Sequence, residues 1–203
     1  MTNEALRNDL EYASRIAREG EATPLLGGEI GLMWTSLATI ALMLHGAVLA
    51  RWIDVDVSLT GLIWLAYGVI GTVLSIALGR RLSTRAGVKS FANRVSEACW
   101  FSMGVIITIV AVTVVVSYMA GKVDLSAFNF IVPTAFALSA AAYTTLARLM
   151  GHGYLLFAAM ASAISVAVTL YMVVDPAMYF VAGLLLIFAG VLPSFIELRR
   201  AGA

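Results

Sequence analysis

The sequence predicts an all-α membrane protein: six transmembrane helices as three hairpins, both termini cytoplasmic, and a short amphipathic helix ahead of the first span. Three observations predict it. Hydrophobic residues make up 61% of the 203 residues and charged residues 12%, half of the ~25% that solvates an ordinary soluble domain. Six apolar runs reach the roughly 20 residues that a helix needs to cross about 30 Å of hydrocarbon. Basic residues alternate between the connecting segments, eleven of the 13 falling on one side and only Arg51 and Lys122 on the other.

Residues 1–27 read as a cytoplasmic amphipathic segment. From about Asn3 to Arg18, Leu6, Leu10, Ala13, Ile16 and Ala17 recur at helical spacing, with Glu11 and Arg15 as an i,i+4 pair on the other face. Gly20 and Pro24 end the stretch. Glu4, Asp9, Glu11, Glu19 and Glu21 outweigh Arg7, Arg15 and Arg18, which argues against a polybasic clamp on anionic lipid. Two readings stand: a docking helix for a cytoplasmic partner, or a helix lying back over the protein's own loops. Mixed charges and Pro24 before the first apolar run do not make a cleavable signal peptide. The first span is therefore expected to act as its own uncleaved insertion signal.

Residues 28–203 read as the transmembrane domain, with spans near 30–50, 59–78, 98–118, 128–147, 153–173 and 178–195. Charges and helix breakers separate them: Asp54 and Asp56, Gly79-Arg80-Arg81, Gly121-Lys122, Gly151-His152-Gly153, and Asp175-Pro176. In lipid each backbone amide must bond within its own segment, so runs this long are helices and not buried strands. Arg80, Arg81, Arg85, Lys89 and Arg94 lie between spans two and three, Arg148 follows span four, and Arg199 and Arg200 follow span six. Together with the N-terminal arginines they place both ends inside. Trp34 and Trp100 near the starts of odd spans, and arginines at the ends of even ones, fit a parallel repeat of three hairpins. Interfacial tryptophan and positive-inside arginine would give the same pattern without a repeat.

Most reactive chemistry lacks its residues. One cysteine, Cys99, permits neither an intramolecular disulfide nor dithiol exchange. His45 falls late in span one and His152 in a turn at the other side, so they cannot clasp one haem. Lys89 and Lys122 sit in loops, which excludes a retinal-type Schiff base. HExxH and paired Asp-x-x-Asp arrangements are absent, and Asp54 with Asp56 reads as a solvated turn. No cofactor, metal site, catalytic residue or nucleic-acid partner is expected. Ionisable residues inside a bilayer are costly and tend to serve function. Glu29 and Glu97 at the starts of spans one and three, with Arg94, make a candidate polar cluster on the cytoplasmic side, a gate or a partner socket. Interfacial anchoring with an Arg–Glu pair is the plainer account. His45 reads as a hydrogen-bonded packing histidine, with a proton relay as the alternative.

Pro133 in an outer first turn and Pro193 near the cytoplasmic end of span six mark no midplane break, which disfavours ion-coupled transport. Small residues crowd span five (Ala158, Ala159, Ala161, Ser162, Ala163, Ser165) and span four (Ser139 to Ala142), so these two spans are expected to pack tightly. The β-branched run from Val105 to Val116 suits a lipid face or an interface.

Pro24-Leu25-Leu26-Gly27-Gly28, Gly79-Arg80-Arg81 and Asn93-Arg94-Val95 with Trp100 resemble a group of small bacterial six-span inner-membrane proteins. The resemblance implies a bacterial cytoplasmic membrane and no activity, cofactor or catalytic residue. The expectation from the sequence is a non-enzymatic accessory, assembly or regulatory protein working through helix–helix and cytoplasmic-face contacts. Its partners would be membrane lipids and either another membrane or cytoplasmic protein or further copies of itself. The alternative is a small oligomeric channel or permease for an uncharged or lipophilic solute, lined by Ser36, Thr39, Gly68, Gly71 and Thr72. An intramembrane lipid-modifying enzyme would need paired acids, or a nucleophile with a base, at one depth, and the sequence offers neither.

Overall fold

Length and apolarity alone drive the architecture. A computed structural model describes residues 4–5, 7–12, 14 and 25–202, and among them it is all-helical, with six helices long and apolar enough to cross a membrane. These are α1 (Gly28–Leu49), α2 (Thr60–Leu82), α3 (Phe91–Met119), α4 (Ile131–Met150), α5 (Gly153–Tyr171), and a sixth span in three parts. Its parts are α6 (Met178–Leu186), a π-helical turn (Ile187–Val191) and α7 (Leu192–Gly202). The expected spans fall on these helices. α3 begins seven residues before residue 98 because Ser90 caps it, its hydroxyl accepting the Asn93 N–H at 3.3 Å.

The loops follow from short polar residues. At one end of the bundle Asp56, Asp124 and Asp175 each accept a backbone N–H two residues on, at 2.7, 2.9 and 2.8 Å, the Asx geometry that starts a turn. At the other end Gly151 closes α4 in the left-handed region, φ 66°, where a side chain would be strained. Only His152 then separates it from α5, so these helices run antiparallel and adjacent.

The helices pack in the spatial order α2, α1, sixth span, α5, α4, α3. α2 and α3, consecutive in sequence, are the two ends of this series, and each has one substantial neighbour besides an adjoining short turn. None of the most apolar stretch of α3 is buried and 6% of that of α2 is, against 39% in the sixth span. Ile109, Val112 and Val116 accordingly face outwards, free for lipid or for another chain. α4 and α5 make the most extensive contact, as their small residues lead one to expect: Ala142, Ala147, Ala158 and Ala159 are all buried in it.

Two features depart from the sequence reading. The contact of α1 with the sixth span rests on single glycines rather than a small-residue run: a Cβ on Gly28 would lie 2.6 Å from the Leu198 nitrogen, and one on Gly31 would lie 2.7 Å from Ser194 Oγ. The sixth span, though unbroken, is also irregular. Pro193 supplies no N–H and its ring crowds the preceding turn, and the π-helical turn at Ile187–Val191, in the middle of the Met178–Ala201 span, takes up the strain.

Only part of the N-terminal segment is described. Residues 4–5, 7–12 and 14 are helical and exposed. Arg7 pairs with Glu11 at 3.2 Å, while Arg15, the partner expected for Glu11, lies outside the described residues, as do Leu6, Ala13, Ile16, Ala17, Gly20 and Pro24.

Candidate functional site: a polar mouth at the arginine-bearing end

Two locks hold this end of the bundle, and a buried carboxyl lies beside them. The Glu29 carboxylate, one residue into α1 and only 15% exposed, accepts a charge-assisted hydrogen bond from Arg85 at 2.7 Å and lies 3.7 Å from Arg81. Fixing α1 to the loop after α2 in this way exploits a bond roughly twice as strong as a neutral one. Asn93, buried near the start of α3, accepts the Leu26 N–H at 2.8 Å and donates to Gly87 O and Ser90 Oγ, both at 3.1 Å. Leu25 drops into the core formed by Ala92, Tyr143, Leu146 and Leu155. The Leu25–Gly28 and Asn93–Val95 sequence patterns are thus two halves of one contact.

Beside these locks lies a buried carboxyl, Glu197, which sequence reasoning passed over. It is 7% exposed although α7 ends in two arginines. A Cβ on Gly28 would come within 3.0 Å of its Cβ, and Tyr143 of α4 and Tyr154 of α5 lie within electrostatic range. Glu197 makes no ion pair with Arg200, whose guanidinium instead covers the Tyr154 ring at 5.1 Å, and His152 stacks on that ring at 5.6 Å. His152 Nδ1 is buried without a hydrogen-bond partner. Burial, and secondarily the Arg200 charge, hold the His152 pKa below its ordinary value. The sequence signal was a carboxylate one turn inside a terminal arginine pair.

Of the candidate site residues Glu29, Arg94, Glu97 and His45, Glu29 alone enters these locks. Arg94 and Glu97 are exposed on α3 and make no ion pair or side-chain hydrogen bond among the described residues, with each other or with Glu29. Sequence proximity suggested Arg94 as a partner; the fold brings Arg81 and Arg85 instead. Arg94 lines a shallow groove with Phe91, Val95, Ala98, Cys99 and Ser102.

His45 belongs to a separate network towards the opposite end. Trp64 Nε1 donates to His45 Nδ1 at 3.0 Å, and the imidazole stacks on Tyr179 with centroids 3.9 Å apart. Tyr179 donates to Asn129 Oδ1 at 2.6 Å, and Asn129 donates to Val173 O, also at 2.6 Å. An indole N–H can only donate, so Nδ1 must be the lone-pair nitrogen. The ring therefore ties α1 to α2 and the sixth span.

Chemically, the mouth offers one buried carboxyl, two phenols and one imidazole. Among the described residues no three His, Cys, Asp or Glu side chains gather as a ligand set. The chain matches no protein-family model, no curated protein and no solved structure.

Proposed function

We propose that this chain is a non-enzymatic accessory, assembly or regulatory component of a bacterial cytoplasmic membrane. In this reading it has three helical hairpins, both termini and the arginine-bearing end face the cytoplasm, and the N-terminal helix docks a partner there. The observation that carries it is a packed root at Leu25 and Leu26 together with an exposed leucine on the N-terminal helix. Leu25 is 2% exposed and Leu26 is bonded to Asn93, while Leu10, on the apolar side of the N-terminal helix, is 64% exposed. A helix with an uncovered leucine, ahead of a packed root in the chain, is suited to hold a partner's apolar groove. Exposed Glu97 on the same end is the second contact in this reading.

The test is gentle affinity purification from native membranes with mass spectrometry of the intact complexes. A stoichiometric second protein is expected, and its recovery should fall at least about tenfold, the weight of one good apolar anchor, when residues 2–20 are deleted. Glu97→Ala should weaken it less. Unchanged recovery after both changes would overturn the docking surface.

A channel or permease for an uncharged or lipophilic solute, formed by several copies, is the second reading, favoured by the π-helical turn in the middle of the sixth span. Its candidate lining counts against a path through one copy. Thr39 and Thr72 hydroxyls donate to the carbonyls of Thr35 and Gly68 on their own helices, and the Trp34 ring covers Gly71. A homo-oligomer without a partner, together with solute flux in reconstituted vesicles, would put this reading first.

A further inference from the structure

α3 is the least covered helix of the bundle, yet its first turns do not resemble a plain lipid face. At 29 residues and about 1.5 Å each it is about 44 Å long, well beyond the ~30 Å hydrocarbon core. Its opening turns therefore reach headgroup depth. There Phe91, Arg94, Val95, Ala98, Cys99 and Ser102 line one shallow groove. Their spacing of 0, 3, 4, 7, 8 and 11 residues is one stripe of a helix. Arg94 is the stripe's only charge. Glu97 lies outside the stripe, and Trp100 turns the other way, onto Tyr143 with ring centroids 4.9 Å apart.

The cations around this groove are not equivalent. Arg81 and Arg85 are held by Glu29. Arg94, and Lys89 just before the helix, are exposed and make no ion pair among the described residues. An unpaired guanidinium directly above an apolar stripe, at the depth of lipid phosphates, is complementary to one kind of molecule. We propose that this stripe of α3 is a binding site for an anionic phospholipid, its phosphate on Arg94 with Lys89 beside it and an acyl chain along Val95, Ala98 and Ser102. Guanidinium suits this role because its planar fork can meet two phosphate oxygens. The site is independent of whether the N-terminal helix has a protein partner.

The experiment reconstitutes the full chain in phosphatidylcholine nanodiscs containing a trace of phosphatidylglycerol with a photoreactive diazirine in its acyl chain. A phosphatidylcholine probe with the same chain serves as the comparison, and cross-links are mapped by peptide mass spectrometry. Labelling of residues 91–102 is expected to favour the phosphatidylglycerol probe. The preference should drop about fivefold in Arg94→Gln, the weight of one basic residue at an anionic surface, and persist in Arg94→Lys. Excess inorganic phosphate should leave it intact; its displacement by phosphate would mean that the site reads a free anion, and would overturn the lipid assignment. Equal labelling by both probes, or an unchanged preference in Arg94→Gln, would overturn it as well. Should Arg94→Gln fail to assemble, the comparison of probes on the unaltered chain still decides.

Discussion

Glu197 sets a demanding condition on this bundle, because it is 7% exposed, packs its Cβ near Gly28 and makes no ion pair among the described residues. A buried ionisable group without a charge partner is costly to keep charged, so a neutral side chain of the same volume removes that cost. Glu197→Gln should therefore leave detergent-solubilised thermal stability unchanged or raised. A clear loss would reveal a partner for the carboxylate. His152 makes a pH-dependent contribution of the opposite character. Its pKa is depressed in the folded chain by burial and by Arg200, so folding favours the neutral ring. That stability is fully present above the ordinary value of 6.5 and is lost as pH falls below it. Melting temperature should decline on acidification across this window in the native chain and decline less in His152→Gln; parallel curves would remove His152 as the cause.

At the scale of elements the decisive contact is α1 against the sixth span, where backbone meets backbone. A Cβ on Gly28 would strike the Leu198 nitrogen and the Ser194 carbonyl, at 2.6 and 2.9 Å, whereas one on Gly68 in α2 would meet nothing. Gly28→Ala should cost about 1–3 kcal/mol through overpacking. Gly68→Ala should be neutral or gain up to ~1 kcal/mol from helix propensity. Thermal melts of the two variants side by side check this, and equal effects would show that the seam can yield. The contrast also explains what the sequence could reveal. Span positions were legible because twenty apolar residues in a row have one use. The α4–α5 seam was legible because its alanines are dense. Gly28, Gly31 and Gly190 are isolated letters whose meaning depends on which helix lies opposite, and the π-helical turn is a tertiary accommodation of Pro193 that no local propensity encodes. Likewise Glu29 could be picked out as a polar residue at a span start, but its partners could not, because Arg81 and Arg85 lie more than fifty residues away.

For the whole molecule, the charge asymmetry becomes a structural one. The end that carries Arg80, Arg81, Arg85, Arg94, Arg199 and Arg200 also holds the Glu29 and Asn93 locks and the buried Glu197. The other end is built from Asp56, Asp124 and Asp175 turns. Hydrogen bonds from Ser58 and Ser126 hold the Asp56 and Asp124 carboxyls below their ordinary pKa, so those turns keep their negative charge at neutral pH. Short basic loops resist translocation while acidic turns contribute little to orientation. The arginine-bearing end should therefore stay in the cytoplasm. Fusing alkaline phosphatase, which folds only where disulfides form, after Lys122 should give active enzyme, and fusing it after Arg200 should give inactive enzyme. A fluorescent protein that matures only in the cytoplasm should report the reverse at both points. The opposite pattern would turn the bundle over, placing the Leu25 root, the exposed Leu10 and the Arg94 groove outside, and would remove the cytoplasmic partner while leaving the packing untouched.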